Sequence, residues 1–199
     1  MTSLTALTVE AEDAPSAEKF YADAFGLGDR LNVDQSDAAT SGFRGFTVSL
    51  LVSQPANAHA LFDAAVSAGA TVLKPVEKSM WGVGGVIQAP DGAIWKLATS
   101  SKKDSAPASR DIDSVVVLFV ASDVSASKTF YVEHGLKIGR SFGSYVEFAM
   151  PGSPIGLGLY KRAALAKDAG VPADGSGSHR IAITSDAGAF TDPDGFTWR

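Results

Sequence analysis

The stretch TDPDGFTWR, residues 191–199, has a near copy in QAPDGAIWK, residues 88–96. Both read Pro-Asp-Gly, two variable residues, Trp and a cation. Pro presets φ and Gly takes the left-handed position, so each copy is a tight turn that feeds a strand carrying a Trp. Matching Pro90 to Pro193 gives an offset of 103 (193 − 90). Upstream, EDAPSAEKFYADAFGL and SDVSASKTFYVEHGL align Asp13 with Asp123, Phe20 with Phe130 and Tyr21 with Tyr131, an offset of 110 (130 − 20). The order is the same in both places: an apolar strand, a helix, further material, then the Asp-Gly turn and the Trp strand. Such self-similarity divides the chain into two homologous units, 1–100 and 111–199, joined by the polar linker SKKDSAPASR at 101–110.

Each unit is built from readable pieces. Leu4 to Ala11 is β-branched and partly alternating, which predicts a strand. Asp13 suits an N-cap, Pro15 the first helical turn, and Ala17, Phe20, Tyr21, Ala24 and Phe25 form one apolar helix face that Gly26 can end. A strand around Arg30 to Asp34, a loop, and the strand-forming stretch FRGFTVSLLVS follow. A second helix is expected over about 56–68, with Leu61, Phe62, Ala65 and Val66 inward, and then three strands, TVLKPV, GVGGVIQA and AIWKLAT. In the second unit a strand SVVVLFVAS and a helix at 124–134 lead to three strands, a basic helical piece RAALAKDAG, a flexible VPADGSGS and the strand HRIAITS. Against a full pattern of strand, helix and three strands used twice per unit, the first unit lacks two strands after its first helix. The second lacks its second helix and the two strands after it.

Composition narrows the partners. Lys+Arg is 17 against Asp+Glu 22, without long runs of one sign, so neither a nucleic-acid nor a membrane-surface footprint is present. With 0 Cys there are no disulfides, thiolate metal sites or cysteine nucleophiles. The first residues show no signal-peptide pattern, and a cytoplasmic setting is expected.

Strand into Asp, helix with Phe-Tyr then Gly-Leu (Gly26-Leu27, Gly135-Leu136), and a closing Asp-Gly strand together resemble the vicinal oxygen chelate superfamily, which includes glyoxalase I, bleomycin-resistance proteins and extradiol dioxygenases. The resemblance implies an α+β fold of two tandem glyoxalase-like units. Their βαβββ modules would form curved, mostly antiparallel sheets with helices outside, both units partly degenerate. In the catalytic members a divalent metal is held by His or Glu in the first strand of a module and Glu in its last. Those positions fall here on Ala6 and Val116, and on Lys96 and Arg199; the internal-strand His falls near Thr47 or Val48, and on Arg180 or its neighbour His179. An aliphatic side chain cannot ligate and a cation repels a metal, so neither a metal nor another cofactor is expected.

Of the histidines, His59 belongs to a polar helix face beside Asp63, and His134 to the last turn of a helix, where the dipole favours it. His179, at a strand entrance, is the candidate for a ligand contact or a general base. Glu10, Glu12 and Asp13 read as strand-to-helix capping, and Gly82, Gly84 and Gly85 as a turn and sheet bend. Tyr145 and Glu147 share one strand face. The functional expectation is a metal-free protein that binds a small hydrophobic or aromatic ligand, an antibiotic or a metabolite, as the bleomycin-resistance branch does. Phe46, Trp81, Tyr145, Glu147, Tyr160 and His179 would line its site. The alternatives are a glyoxalase-like lyase or dioxygenase with an altered metal site, and a scaffold without a pocket. The chain would act as a monomer, an internal pseudo-dimer, or as a homodimer.

Overall fold

A computed structural model describes residues 2–199, and its elements repeat one module. β1 (Leu4–Ala11), α1 (Ala14–Ala24) and β2 (Leu31–Gln35) make the first, and a short β3 (Thr40–Gly42) follows. β4 (Phe46–Leu51), α2 (Pro55–Ser67), β5 (Thr71–Ser79), β6 (Gly82–Gln88) and β7 (Ile94–Thr99) make the second. The third contains β8 (Ser114–Val120), α3 (Val124–Glu133), β9 (Lys137–Phe142), β10 (Tyr145–Ala149) and β11 (Ile155–Tyr160). After α4 (Arg162–Ala169) and β12 (Gly175–Gly177), the fourth has strands alone: β13 (Ile181–Ser185), β14 (Phe190–Thr191) and β15 (Thr197–Trp198).

Local chemistry starts and stops the helices as the sequence predicts. The Asp13 carboxylate accepts from the Ser16 amide at 3.1 Å, and that of Asp123 from the Ala126 amide at 3.1 Å, so α1 and α3 begin on the same cap. Gly26 and Gly135 follow the helix ends with φ of 60° and 89°. α2 buries Leu61, Phe62 and Ala65, while Val66, expected inward, is exposed. Its face is narrower than the sequence implies because Asn57 and Ala58 take the buried flank instead.

The sheet joins modules across the sequence halves. β4 pairs antiparallel with β8, and each is flanked by the closing strand of its own module in parallel, β7 beside β4 and β11 beside β8. The order β5-β6-β7-β4-β8-β11-β10-β9 is therefore one complete curved sheet of eight strands, a cup made from modules two and three. β1 pairs antiparallel with β13, with β2 parallel to β1 and β15 parallel to β13. β2-β1-β13-β15-β14 is a smaller cup of five strands made from modules one and four. A single bridge, Leu4 to Ile155, connects the two. In the first module β2 takes the place of a closing strand directly after the helix, as expected. The fourth keeps β14, one short strand more than the sequence reading allowed.

The repeated motif binds modules in the other direction. Tyr21 of α1 donates its hydroxyl to Asp91 at 2.6 Å, and Trp95 Nε1 donates to Tyr21 Oη at 3.3 Å. In the second half Tyr131 of α3 donates to Asp192 at 2.6 Å, and its ring lies 5.4 Å from that of Trp198. Gly92 and Gly195 hold φ of 94° and 93°, the left-handed positions that let each turn double back. Strand pairing thus unites module two with three and one with four, whereas the Tyr-Asp-Trp cluster unites one with two and three with four. All four aromatic side chains are buried.

Two segments read as irregular are fixed by specific contacts. Gln54, buried at the start of α2, donates to Ala106 and Pro107 carbonyls and accepts from the Ser105 and Ala106 amides, which pins the linker. The expected flexible stretch contains β12, which pairs antiparallel with β3 as a two-stranded ribbon. Among the described residues no helix is long and apolar enough to cross a membrane.

Candidate functional site

The four central strands of the complete cup place one residue each on a common rung. Lys96 pairs with Ser49, Ser49 with Val116, and Val116 with Gly156. This rung faces the concave surface, which continues past Leu51 into two adjoining hollows of about 780 and 370 Å³ that share Ser49 and Leu51. Alternation puts Phe46, Val48 and Leu50 of β4 on the opposite, fully buried face, beneath the helices. Phe46 is accordingly core rather than a lining residue, paired with Phe119 in the neighbouring strand.

α4 lies across this concavity. It packs on β4 and β8, with Leu165, Ala166 and Ala169 buried. Two lysines of the second module hold its C-terminus: Lys74 Nζ donates to the carbonyls of Lys167 and Asp168 at 2.8 and 2.6 Å, and Lys96 Nζ bonds the Asp168 carboxylate at 2.8 Å. Cations are favoured at a helix C-terminus, where carbonyls lack intrahelical donors. The part of the cup left open has Leu51, Ser114, Val116, Met150 and Gly156 as floor, with Tyr145 and Glu147 as wall.

Tyr145 and Glu147 do face inward together. The Tyr145 hydroxyl donates to Glu147 Oε2 at 3.3 Å, and burial, with the Glu147 charge beside it, pushes the phenol up to about 12. Tyr160, opposite Tyr145 on β11, presents its ring edge at 5.5 Å. Trp81 sits apart, 83% exposed at the β5–β6 turn on the rim of the larger hollow. His179 lies outside the cup. Its Nδ1 meets the Arg44 carbonyl, its Nε2 the Asp194 carbonyl at 3.0 Å, and its ring stacks on Phe196 at 4.0 Å. A backbone carbonyl blocks each ring nitrogen, so neither nitrogen faces open space where a ligand or substrate could reach it.

The positions where the family resemblance places metal ligands divide between the cups. Val116 and Lys96 share the rung of the complete cup. Ala6 pairs with Thr184 in the smaller one, and Arg199 brackets Thr184 through its backbone, donating to the Ile183 carbonyl at 2.8 Å and accepting from the Ser185 amide at 3.1 Å. A divalent site needs several oxygen or imidazole donors converging on one point. The rung of the complete cup offers an ammonium already bonded to Asp168, one hydroxyl, an isopropyl group and a glycine, and the nearby wall adds one carboxylate, that of Glu147. In the smaller cup the Arg199 guanidinium lies 2.9 Å from Asp34 and 3.5 Å from Glu10, and so takes up the carboxylates on that floor. The residues present do not fit a metal, and among the described residues no group of three or more His, Asp or Glu is placed to hold one.

Sequence reading missed Ser49, Gly156 and Asp168. Aligning half with half pairs module one with three; only the antiparallel β4–β8 contact reveals that Ser49 is the counterpart of Val116. The Ala-rich composition of α4, with Arg162 and Lys167 as its cations, marked it as a helix but not as an occupant of the cup.

No known family profile matches the sequence, and neither does any curated protein. Solved structures do. Glyoxalase I from Zea mays superposes with a TM-score of 0.65 at 14% identity, covering 100% of this chain and 91% of that one. A protein described as a putative dioxygenase from Bacillus subtilis gives 0.59 at 11% identity, over 92% of this chain and 69% of that one. Likeness at such identities is likeness of fold alone: the chain has a two-cup fold similar to that of glyoxalase I.

Proposed function

We propose that the protein binds a small, mainly apolar molecule without a metal, in the part of the complete cup that α4 leaves open. One observation carries the reading: the rung at the bottom of that cup is Lys96, Ser49, Val116 and Gly156. Ligand sites are concave and mostly apolar with a few placed polar groups. Here Leu51, Val116 and Met150 supply the apolar floor and Glu147, beside Tyr145, the polar group. The matching ligand carries a hydrogen-bond donor or a cationic nitrogen on an aromatic or aliphatic body, in line with the drug-sequestering branch of the superfamily. Because both cups are assembled within one chain, no second chain is required to complete the site, and we propose a monomer.

Titration of the protein with a panel of hydrophobic metabolites and cationic antibiotics, followed by tryptophan emission, tests this. Trp81 is exposed on the rim of the larger hollow, which adjoins the site at Ser49 and Leu51, so its emission reports a ligand that extends into that hollow, and calorimetry reports one confined to the smaller hollow. A saturable change that Val116→Phe and Glu147→Gln weaken supports the reading. Stoichiometric Zn, Ni, Mn or Fe after gentle purification overturns its metal-free part, and no response to any ligand leaves the scaffold alternative in its place.

A further inference from the structure

α4 is held in the complete cup by different means at its two ends. At its start Arg162 donates through Nε to the Ala173 carbonyl at 2.6 Å and through Nη2 to the Phe43 carbonyl, and its guanidinium lies 5.3 Å from the centre of the Phe43 ring. At its end the polar hold on the cup is Lys74 and the Lys96–Asp168 pair, whose side chains are 34% and 46% exposed. A pair that open to water is weak and is screened by salt. Between the ends the helix buries one leucine and two alanines, Leu165, Ala166 and Ala169. It has only 8 residues, and Lys161 at its N-cap makes no side-chain bond to the first amides. A helix this short persists only through its packing.

What the helix covers is continuous with the open wall. Thr47 pairs with Leu118, Leu118 with Gly158, and Gly158 with Glu147. Alternation puts this rung on the same concave face as Ser49 and Val116, one step along the strands. One end of the rung is Glu147, the polar group of the open part. Thr47, at the other end, is only 4% exposed and lines neither hollow. α4 explains the difference: it starts at Phe43, ahead of β4, ends at Lys96, level with Ser49, and packs on β4 and β8 in between. Thr47 therefore lies beneath it.

We propose that α4 is a lid whose C-terminal end lifts when Lys96 and Asp168 part. The site then extends from Glu147 along Gly158 and Leu118 to Thr47, and a ligand too bulky for the open part competes with α4 for this rung. The lifting follows from how α4 is held; its effect on ligand binding rests on the function proposed above for the cup.

With 0 Cys in the chain, an introduced thiol is the only one. Thr47→Cys places it under α4, and Val48→Cys places it on the opposite, fully buried face. Reaction with the neutral reagent dithiodipyridine under native conditions is expected to be about tenfold or more faster in Thr47→Cys, because a local opening costs less than unfolding. Asp168→Asn should speed the Thr47→Cys reaction by up to about fivefold, and added salt should speed it as well. Asp168→Asn is also expected to tighten binding of the bulky cationic dye rhodamine 6G by up to the same factor. Should Val48→Cys fail to fold, urea unfolding of Thr47→Cys supplies the global rate for the comparison. Equal thiol rates at the two positions overturn the proposal, and so does a Thr47→Cys rate that neither Asp168→Asn nor salt changes. Equal dye affinity in wild type and Asp168→Asn overturns the competition between ligand and lid. The expected thiol rates without dye binding in either protein would uphold the lid and overturn the function proposed for the cup.

Discussion

Tyr21 and Asp91 stand 70 residues apart in sequence and 2.6 Å apart in space, and Tyr131 makes a bond of the same length to Asp192, two residues before the repeat counterpart Asp194. Each bond ties the helix of one module to the turn of the next, and burial together with the nearby carboxylate raises both phenols well above their ordinary range. Tyr21→Phe removes the donor to Asp91 and the acceptor for Trp95 Nε1. A loss of about 1–3 kcal/mol is expected in urea unfolding, the cost of leaving buried polar groups unpaired. A double-mutant cycle with Asp91→Ala should give a coupling of about 0.5–3 kcal/mol; additive effects would mean that the bond does not join the modules.

The Lys96–Asp168 pair holds the end of α4 in the cup, with both side chains partly exposed. Asp168→Asn is therefore expected to cost at most about 1 kcal/mol of global stability. Its local effect should be larger: amide hydrogen exchange in α4 is expected to quicken while β4 and β8 stay protected. Unchanged exchange in α4 would show that Leu165, Ala166 and Ala169 seat the helix unaided.

The Tyr145 phenol, with its pKa pushed from 10.0 to about 12, makes an alkaline prediction. Its folded pKa lies above the unfolded one, so the stabilisation from the neutral form is complete below about pH 10 and is lost as pH rises towards 12. Tyr145→Phe should flatten that part of the stability profile relative to wild type. In tyrosinate absorbance, Glu147→Gln should move one transition to lower pH; the same titration curve in both proteins would place Glu147 away from the phenol in solution.

The fold was legible because the motif that reveals it is local: Asp caps, Phe-Tyr helix faces and Asp-Gly turns are set by neighbours in sequence, and they occur twice. What sequence could not supply was partnership. The repeat divides the chain into halves, yet β4 of the first half pairs with β8 of the second, and β1 with β13, because strand pairing is chosen by edges meeting in space. The site followed the same division. Lys96 and Val116 were readable as metal-averse positions through the family resemblance, but their meeting on one rung with Ser49 and Gly156 depends on the β4–β8 register. Tyr145 and Glu147 declared a shared face through strand alternation. Phe46 did not declare its own, since every residue of β4 but the last is buried and the inward and outward sets look alike in sequence. His179 looked like chemistry and proved to be architecture, since backbone carbonyls of Arg44 and Asp194 meet its two nitrogens.

The most direct measurement is the binding of the neutral apolar dye N-phenylnaphthylamine, followed by its fluorescence, to protein stripped with EDTA and to the same protein resupplied with Zn, Ni, Mn or Fe(II). The account predicts saturable binding of equal affinity in both preparations, weakened by Val116→Phe. Binding that disappears on stripping and returns with one metal ion per chain would contradict it.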